Sequence, residues 1–250
     1  MHGKKMIGAL CAALMALSVA GCAATPASSA AGSATAITTG ASTASGFSVS
    51  VKVPDDFEGE LNGRCLVAFA TDTSEAQPYE QIDLYGVPVF GKTVYGLKAG
   101  GTIDFTVDDE EIIGFPFEME ELPAQEFSVQ AFFIKYTKYE RSNGSTIWGM
   151  EDMGGGGSFL DNPGNYYSDV QTAAVDVTAD QNIQLTLSEM LPLPELQEGQ
   201  VAQQGNYEDT DQVKYVKIKS ELLSEFWGSD VYIGANVLLP HNYDPEKAYP

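Results

Sequence analysis

Cysteine is scarce in this chain, with three residues among 250. Cys11 lies in an apolar N-terminal stretch and Cys22 closes it, so Cys65 has no thiol partner in the rest of the chain. A disulfide framework or a cysteine-based zinc site needs several cysteines, and neither is expected. Cys65 falls in the apolar run RCLVAFA at residues 64–70. A free cysteine in such a run usually behaves as a small buried hydrophobe, so we predict a core thiol and not a nucleophile.

Basic residues are also few. The 13 Lys and Arg stand against 35 Asp and Glu, which gives a formal net charge of −22. All the acidic residues follow Cys22, whereas Lys4 and Lys5 precede it. Nucleic-acid binding depends on clustered Lys and Arg, so no nucleic-acid partner is expected. The acidity is explained most simply by the solubility of an exported protein, and an acidic recognition surface is the alternative.

Long apolar runs are absent after residue 20. Before it, the basic pair Lys4 and Lys5 is followed by an apolar stretch from Met6 to Ala20, which ends in LSVAGC at residues 17–22. A basic head, a short apolar segment and small residues before a cleavage point are typical of a secretory signal. The small residues before the cysteine resemble a bacterial lipoprotein signal, which implies removal of residues 1–21 and lipidation of Cys22. An ordinary signal peptide and a transmembrane anchor are the alternatives, although a span needs about 20 apolar residues.

The lipoprotein signal predicts an extracytoplasmic protein that is anchored by lipid at Cys22 to the bacterial cell membrane or outer membrane. Two or more acyl chains give stable anchoring, because each buried methylene contributes ~0.8 kcal/mol. Residues 22–46 are nearly all Ala, Ser, Thr and Gly and carry no charge. Such a tract buries too little apolar surface to offset its ordering entropy. We therefore predict a flexible tether over 22–46.

Helical periodicity is lacking from residue 47 onward, where apolar and polar residues alternate, as in FSVSVKV at 47–53. A period of two is typical of half-buried strands. Similar runs, separated by Gly, Pro, Asn and Asp, occur at 63–70, 102–107, 126–136, 170–177 and 182–187. Strands with turn signals and no helices predict a mainly β fold, an antiparallel Ig-like β-sandwich over 47–194.

Four side chains of these runs are predicted to point into the core of the sandwich. They are Phe69, Val129, Phe132 and Val175, and each belongs to an apolar strand run. About 150 residues are enough for a core of their own. We therefore expect the sandwich to fold independently of the rest of the chain.

The longest stretch without strand periodicity runs from 137 to 169 and contains four consecutive glycines. A loop of more than about 15 residues is uncommon in a compact domain and is often functional or disordered. Trp148, Tyr166 and Tyr167 fall in this stretch. Their rings are suited to an aromatic platform for a ligand such as a sugar, or to an interdomain surface. The alternative is that they fold back and cover one end of the sandwich.

Residues 195–212 are rich in Gln, Glu, Gly and Asp, which predicts an acidic, solvated linker. Asp209 and Asp211 within it lack the glycine and the distal glutamate of a calcium-binding loop. We therefore expect no metal site and no cofactor. Strand character returns at 213–219 and at 231–239.

The C-terminal residues resemble the opening of a catalytic domain in a known family. FWGSDVY at 226–232, LLPHNYD at 238–244 and Tyr249-Pro250 are similar to the first strand pair, the next turn and the next strand of bacterial esterases of the enterochelin-esterase-like kind. These are α/β-hydrolase-fold proteins with an N-terminal β-sandwich. GR at 63–64, RSNG at 141–144 with Trp148, and NPGNYYS at 162–168 resemble that sandwich. The resemblance implies that residues 213–250 are the first β-hairpin of a truncated hydrolase domain.

Catalytic residues of such an esterase are not found in this chain. A serine hydrolase of this fold needs, in chain order, a serine nucleophile, an Asp or Glu and a His. No Gly-x-Ser-x-Gly sequence occurs in the 250 residues, and His241 lies in a turn before the position expected for the nucleophile. Ser224 and Ser229 flank Trp227, and no base is expected beside them. We therefore expect the catalytic core to lie beyond residue 250.

Two functional hypotheses follow. In the first, the chain is the N-terminal region of a membrane-anchored extracytoplasmic esterase that acts on a small ester. In the second, it is a non-catalytic envelope lipoprotein whose β-sandwich is a binding or adhesion module, with a glycan as the partner. Membrane lipid, reached through Cys22, is a partner in both. A downstream Gly-x-Ser-x-Gly followed by Asp and His would support the first hypothesis, and a stop codon or another sandwich would support the second.

Overall fold

Strands predominate in the structure, a computed structural model that describes residues 46–154 and 157–249. The strands are β1 Phe47–Lys52, β2 Leu61–Ala70, β3 Val89–Leu97, β4 Thr102–Thr106, β5 Ile113–Phe115, β6 Gln125–Lys135, β7 Thr137–Glu140, β8 Thr146–Gly149, β9 Tyr166–Tyr167, β10 Gln171–Val175, β11 Gln181–Thr186, β12 Glu189–Met190, β13 Val213–Lys219 and β14 Tyr232–Leu238. The described helices are two 3₁₀ turns, Pro78–Gln81 and Met119–Glu121, and one α-helix, α1 Glu221–Trp227. The mainly β fold class predicted from the sequence is confirmed.

Two sheets form the sandwich. The smaller sheet has the order β11-β1-β4, and the larger has the order β12-β9-β6-β2-β3-β5, with β10 also paired to β6. Among the described pairings, β1 with β11 is parallel, whereas the other strand pairs are antiparallel. The expectation of a wholly antiparallel sandwich is therefore corrected at this edge. Ser48 of β1 and Asn182 of β11 are 134 positions apart, and local alternation carries no information about such a pairing.

The main hydrophobic core lies between the two sheets. Val49 and Phe105 of the smaller sheet pack with Phe69, Phe90 and Val129 of the larger one, and all five are fully buried. The rings of Phe69 and Phe90 meet edge to face, with 5.6 Å between their centroids. The alternation that predicted these strands therefore reflects one buried face on each sheet.

Phe132 occupies a second, smaller core on the outer face of the larger sheet. Phe69, Val129 and Val175 point inward as predicted, and they belong to the core between the sheets. Phe132 is fully buried too, but it stacks on Tyr79, at 4.8 Å between ring centroids, on the other side of β6. The prediction for Phe132 was wrong in direction because β6 is apolar on both faces, and alternation cannot assign a face in such a strand.

The stretch from 137 to 169, predicted to be irregular, contains a β-hairpin. Strands β7 and β8 pair with Tyr139 opposite Ile147 and with Lys138 opposite Trp148. The turn between them is closed by the amide of Arg141, which donates to the carbonyl of Ser145 at 2.9 Å. The hairpin has two faces, one with Tyr139 and Ile147 and the other with Lys138 and Trp148.

The C-terminal segment, residues 213–249, contains the antiparallel pair β13–β14. Its connection is not a tight turn, because α1 lies between the strands. The helix begins after Ser220, whose hydroxyl accepts a hydrogen bond from the amide of Leu223, and it ends at Gly228, whose φ is +68°. Serine is a common N-cap at the start of a helix, and a glycine in the left-handed conformation commonly ends one. No helical periodicity in the sequence predicted this helix.

Candidate functional site

Cys22 lies outside the described residues, so its lipidation stays a prediction. Within residues 46–154 and 157–249, no helix combines the length and apolar character needed to cross a membrane.

Trp148, Tyr166 and Tyr167 do not share one surface. Trp148 packs against Tyr95 of β3, with 5.2 Å between ring centroids. Tyr166 and Tyr167 are consecutive in β9 and therefore point to opposite faces of the larger sheet. Tyr166 meets Phe57 at the rim of the main core, and Tyr167 joins the outer core. The two tyrosines thus pack on opposite faces of the larger sheet.

The NPGNYYS sequence at 162–168 is held by buried polar side chains. Asn165 accepts a hydrogen bond from the amide of Lys135 at 2.9 Å and donates to the carbonyl of Phe159 at 2.7 Å. Ser168 accepts from the amide of Ala131 at 3.0 Å. Both side chains are buried, and each satisfies backbone groups that the strands leave unpaired. These residues therefore fix the path of the chain onto β6 and leave no polar group directed at a ligand.

The serines and the histidine near α1 have separate positions. Ser224 accepts a hydrogen bond from the amide of Val231 at 2.9 Å and so holds the turn between α1 and β14. Ser229 is exposed, and His241 is exposed in the turn after β14. We assign no catalytic role to any of them.

Cys65 is fully buried in the core between the sheets, as predicted. Burial raises the pKa of its thiol far above the ordinary value, and the nearby Arg64 offsets only part of this rise. The thiolate is the reactive form of cysteine, so Cys65 is inert at neutral pH. Within the described parts of the chain, no group of three or more His, Cys, Asp or Glu side chains is arranged to hold a metal ion.

A cleft of about 270 Å³ lies between the β7–β8 hairpin and the turn that follows α1. We call it the Tyr139–Trp227 cleft. Its walls are formed by Tyr139, Ile147, Gly149, Met150, Asp152, Gln203, Trp227, Ser229, Asp230 and Val231. The hairpin and the two residues Met150 and Asp152 after it supply one part of the lining, and Gln203 and the C-terminal segment supply the rest, so the site exists only where these parts of the chain meet.

The two aromatic rings of the cleft meet edge to face. The centroids of Tyr139 and Trp227 are 5.8 Å apart, with an angle of 75° between the ring planes. Burial raises the pKa of Tyr139, and the carboxylates of Glu151 and Asp152 raise it further. The hydroxyl therefore remains protonated at neutral pH and can both donate and accept a hydrogen bond.

The longer polar side chains of the cleft already have partners in the protein. Asp152 accepts hydrogen bonds from the amide of Gln204, at 2.9 Å, and from its side chain. Gln203 donates to the carbonyl of Asp230 at 2.8 Å and accepts from the amide of Tyr232 at 3.1 Å. These bonds hold the segment before β13 in place. What the cleft can offer a ligand is two aromatic rings, the hydroxyl groups of Tyr139 and Ser229, and apolar side chains such as Ile147 and Val231.

No sequence pattern singled out Tyr139 or assigned a role to Trp227. Both lie within or beside sequences that carried the family resemblance, RSNG at 141–144 and FWGSDVY at 226–232. The structure brings these two sequences into contact, which neither indicated alone. Comparison of the chain with protein-family models, with curated proteins and with solved structures found no match.

Proposed function

We propose that this chain is the N-terminal region of a lipid-anchored extracytoplasmic esterase, in which the sandwich precedes an α/β-hydrolase domain that begins at β13. The sequence resemblance at 226–232 and 238–244 supports this proposal, as does the order of signal, tether, sandwich and strand pair. The reaction would be serine-dependent ester hydrolysis through an acyl-enzyme, with the nucleophile, acid and base supplied after residue 250.

The observation that carries the proposal is the bare apolar face of the β13–β14 pair. The register places Ile218 opposite Ile233 and Val216 opposite Ala235, on the same face as Val237. The exposed fractions of Val216, Ile218, Ile233 and Val237 are 46%, 57%, 45% and 42%. Isolated two-stranded sheets are marginally stable, and a contiguous apolar patch usually marks a surface that is covered in the mature assembly.

The opposite face of the same pair is covered. Tyr215 donates its hydroxyl hydrogen to the carbonyl of Gln204 at 2.6 Å, and Lys217 donates to the carbonyl of Val201 at 2.8 Å. The segment before β13 thus forms a cover on one side only. A sheet with one face covered by its own preceding segment and one face bare is suited to a domain in which a further layer packs on the bare face.

The two outer edges of the pair also differ, because the segment before β13 covers one of them and no strand of the described residues covers the other. The outer edge of β13 is closed by Asp209, which accepts from the amide of Tyr215 at 2.8 Å, and by Thr210, which accepts from the amide of Val213 at 3.0 Å. In the described part of the chain no strand pairs with the outer edge of β14. An edge strand that has no neighbouring strand is a template for a further strand. These features support a sheet that continues from β14.

The test of this proposal is hydrolysis of p-nitrophenyl acetate by the 250-residue chain and by a chain extended along its reading frame. We expect turnover by the extended protein alone, inhibited by a serine-directed sulfonyl fluoride. Replacement of the serine in the downstream Gly-x-Ser-x-Gly by alanine should abolish turnover, since that serine forms the acyl-enzyme. A reading frame that ends near residue 250, or inhibitor-sensitive turnover by residues 1–250, would contradict the proposal.

A second candidate function, glycan binding without catalysis, is favoured by the Tyr139–Trp227 cleft. Aromatic rings with nearby hydroxyl groups are suited to a neutral sugar ring, which has apolar faces and polar edges. The chain has two tryptophans, so Trp148→Phe leaves Trp227 as the only one and makes it a fluorescent reporter of the cleft. A saturable change on titration with N-acetylglucosamine oligomers, absent in Tyr139→Ala, would support binding. No change up to millimolar sugar would exclude these probes as ligands.

A further inference from the structure

Arg141, the residue that follows β7, lies against the aromatic end of α1. Its Cζ atom is 5.0 Å from the centroid of the Trp227 ring and 6.0 Å from that of Phe226. A guanidinium within about 6 Å of an aromatic face is attracted by the ring quadrupole, and most strongly by tryptophan. The two rings meet edge to face, with 5.5 Å between their centroids, which gives the cation two neighbouring aromatic partners.

The backbones of the hairpin and the helix are also joined. The amide of Ser142 donates to the carbonyl of Phe226 at 2.8 Å. The last carbonyls of a helix have no partner within the helix, and here the hairpin satisfies one of them. Gly228 follows in the left-handed conformation, and a Cβ atom there would lie 2.5 Å from the carbonyl oxygen of Glu140. Both the backbone conformation and the close approach of the hairpin therefore require glycine at 228.

The charge environment of Arg141 is unusual in so acidic a chain. Among the described residues it forms no salt bridge, and its Nε atom is buried without a hydrogen-bond partner. Burial of a polar group without a partner is unfavourable unless another interaction offsets it. The rings of Phe226 and Trp227 are the compensating contacts that the structure provides.

The opposite face of the hairpin is attached to the sandwich. Trp148 packs on Tyr95 of β3, and the chain between β6 and β7 is fixed by the amide of Tyr136, which donates to the carbonyl of Asn62 at 2.7 Å. The residues that face α1 are Tyr139 and Arg141, two apart in sequence and therefore on one side of the hairpin. The hairpin thus contacts the sandwich with one face and the C-terminal segment with the other.

We propose that the β7–β8 hairpin is a docking arm that holds the C-terminal segment on the sandwich, with Arg141 as its central contact and Trp227-Gly228 as the docked element. The partner that this surface fits is the C-terminal end of a helix that carries adjacent aromatic rings, an open carbonyl and a terminating glycine. The proposal goes beyond the proposed esterase function, because the arm acts in the same way whether or not catalysis follows. It also gives a shared physical role to RSNG and FWG.

The test is amide hydrogen exchange, measured by NMR on the full 250-residue chain. The reporter is the amide of Ser142, which is protected by the carbonyl of Phe226 across the interface. We compare the unmodified chain with Arg141→Ala and with Trp227→Leu, and we use the amides of Ala131 and Phe133 in β6 as internal references. Loss of the cation–π contact is expected to accelerate exchange at Ser142 by roughly 2- to 30-fold in either variant, with the references unchanged.

Lys138→Ala is the matched control. Lys138 lies in the same hairpin but on the other face, opposite Trp148, where it forms an exposed ion pair with Glu140. We expect this variant to leave exchange at Ser142 unchanged. A change equal to that of Arg141→Ala would overturn the proposal, because the effect would then belong to the hairpin as a whole.

Two further results would also overturn the proposal. One is unchanged exchange at Ser142 in both interface variants, and the other is an equal acceleration at the β6 references, which would mark a general loss of stability. If Arg141→Ala does not fold, Trp227→Leu decides, since it changes a short helix outside the sandwich. Faster exchange at Ser142 in that variant supports docking, and unchanged exchange refutes it.

Discussion

Cys65 is the residue whose chemistry is most altered by the fold. It lies between β3 and β6 in the middle of the larger sheet and has no exposed surface. Burial raises the pKa of the thiol above its ordinary value of 9.0. A raised folded-state pKa means that the protonated thiol is favoured by folding. Its contribution to stability is therefore complete below the unfolded-state pKa and is lost as the pH rises above it.

We predict that replacing Cys65 by alanine makes the free energy of unfolding depend less on pH in the alkaline range. Both chains in the comparison have alanine at positions 11 and 22, and only one of them keeps Cys65. In that chain, the titration of Cys65 should lower the free energy of unfolding by about 1.4 kcal/mol per pH unit above pH ~9. The measurement is urea unfolding of both chains between pH 7 and 10. A constant difference between the two chains over this range would contradict the assignment.

Gln130 shows a residue-scale feature that alternation could not reveal. It lies in the apolar strand β6 and is fully buried. Its side chain accepts from the amide of Tyr79 at 3.3 Å and donates to Gln77 and to the carbonyl of Ser168 at 2.9 and 2.8 Å. It thereby joins two loops to the sheet. In a sequence, a polar residue within an apolar run suggests an exposed side chain. The burial of Gln130 is explained only by the loops that pack over it and supply its hydrogen-bond partners.

At the scale of elements, β2 depends on a glycine at its bulge. The register with β3 shifts between Leu61 and Gly63, and Gly63 has a φ of +156°. A Cβ atom at this position would collide with the carbonyl oxygen of Ile134 in the neighbouring strand. Bulges re-aim side chains and tighten the local twist, and glycine is favoured where a second backbone comes close.

We predict that Gly63→Ala lowers the free energy of unfolding by about 2–3 kcal/mol, because the methyl group forces β2 and β6 apart. Gly149→Ala is the matched control, since a Cβ atom there meets open space and its backbone is not in the left-handed region. Thermal unfolding of both variants gives the comparison. Equal midpoints for the two would show that the sheet accommodates the methyl group.

Elements with strong alternation could be predicted from the sequence, and those fixed by tertiary contacts could not. β1, β2, β4, β6, β10 and β11 lie within two residues of their predicted runs. β3 escaped prediction because Gly91, Lys92 and Gly96 interrupt its apolar pattern. The helix α1 has seven residues and buries none of them, so its only local signals were the caps Ser220 and Gly228.

The candidate site was less predictable than the fold. Trp148, Tyr166 and Tyr167 are close in sequence, but in the structure each packs in different surroundings, because Trp148 lies in β8 and the two tyrosines point to opposite faces of β9. The pair that does form a cleft, Tyr139 and Trp227, joins residues far apart in the chain. Contacts of this kind depend on how the hairpin packs against α1, and neither periodicity nor composition reports on that packing.

At the scale of the whole molecule, the proposed anchor decides where the protein is held. Cys22 follows the signal-like segment, and the predicted sandwich begins at residue 47, after the predicted tether. We predict that Cys22→Ser moves the protein from the membrane fraction to the aqueous fraction, because acylation needs the thiol. Detergent phase partitioning measures this, with Cys11→Ser as the control. Retention of the Cys22→Ser protein in the detergent phase would exclude a lipoprotein.

The bare face of β13–β14 is expected to make the 250-residue chain self-associate when nothing else covers it. Val216, Ile218 and Ile233 lie side by side on this face and are exposed. Removing such a patch from water contributes roughly 25 cal/mol per Å² of apolar surface, which favours association of two copies despite their negative charge.

We predict that Ile218→Thr with Ile233→Thr, in the unlipidated Cys22→Ser chain, lowers the associated fraction severalfold in sedimentation velocity at matched concentrations. Leu222→Thr removes an apolar residue from α1 that is more exposed than either isoleucine and lies outside the two strands, and this change should leave the association unchanged. Association that responds equally to both changes would point to non-specific apolar contacts, whereas a response confined to the sheet face would show that this face mediates the association.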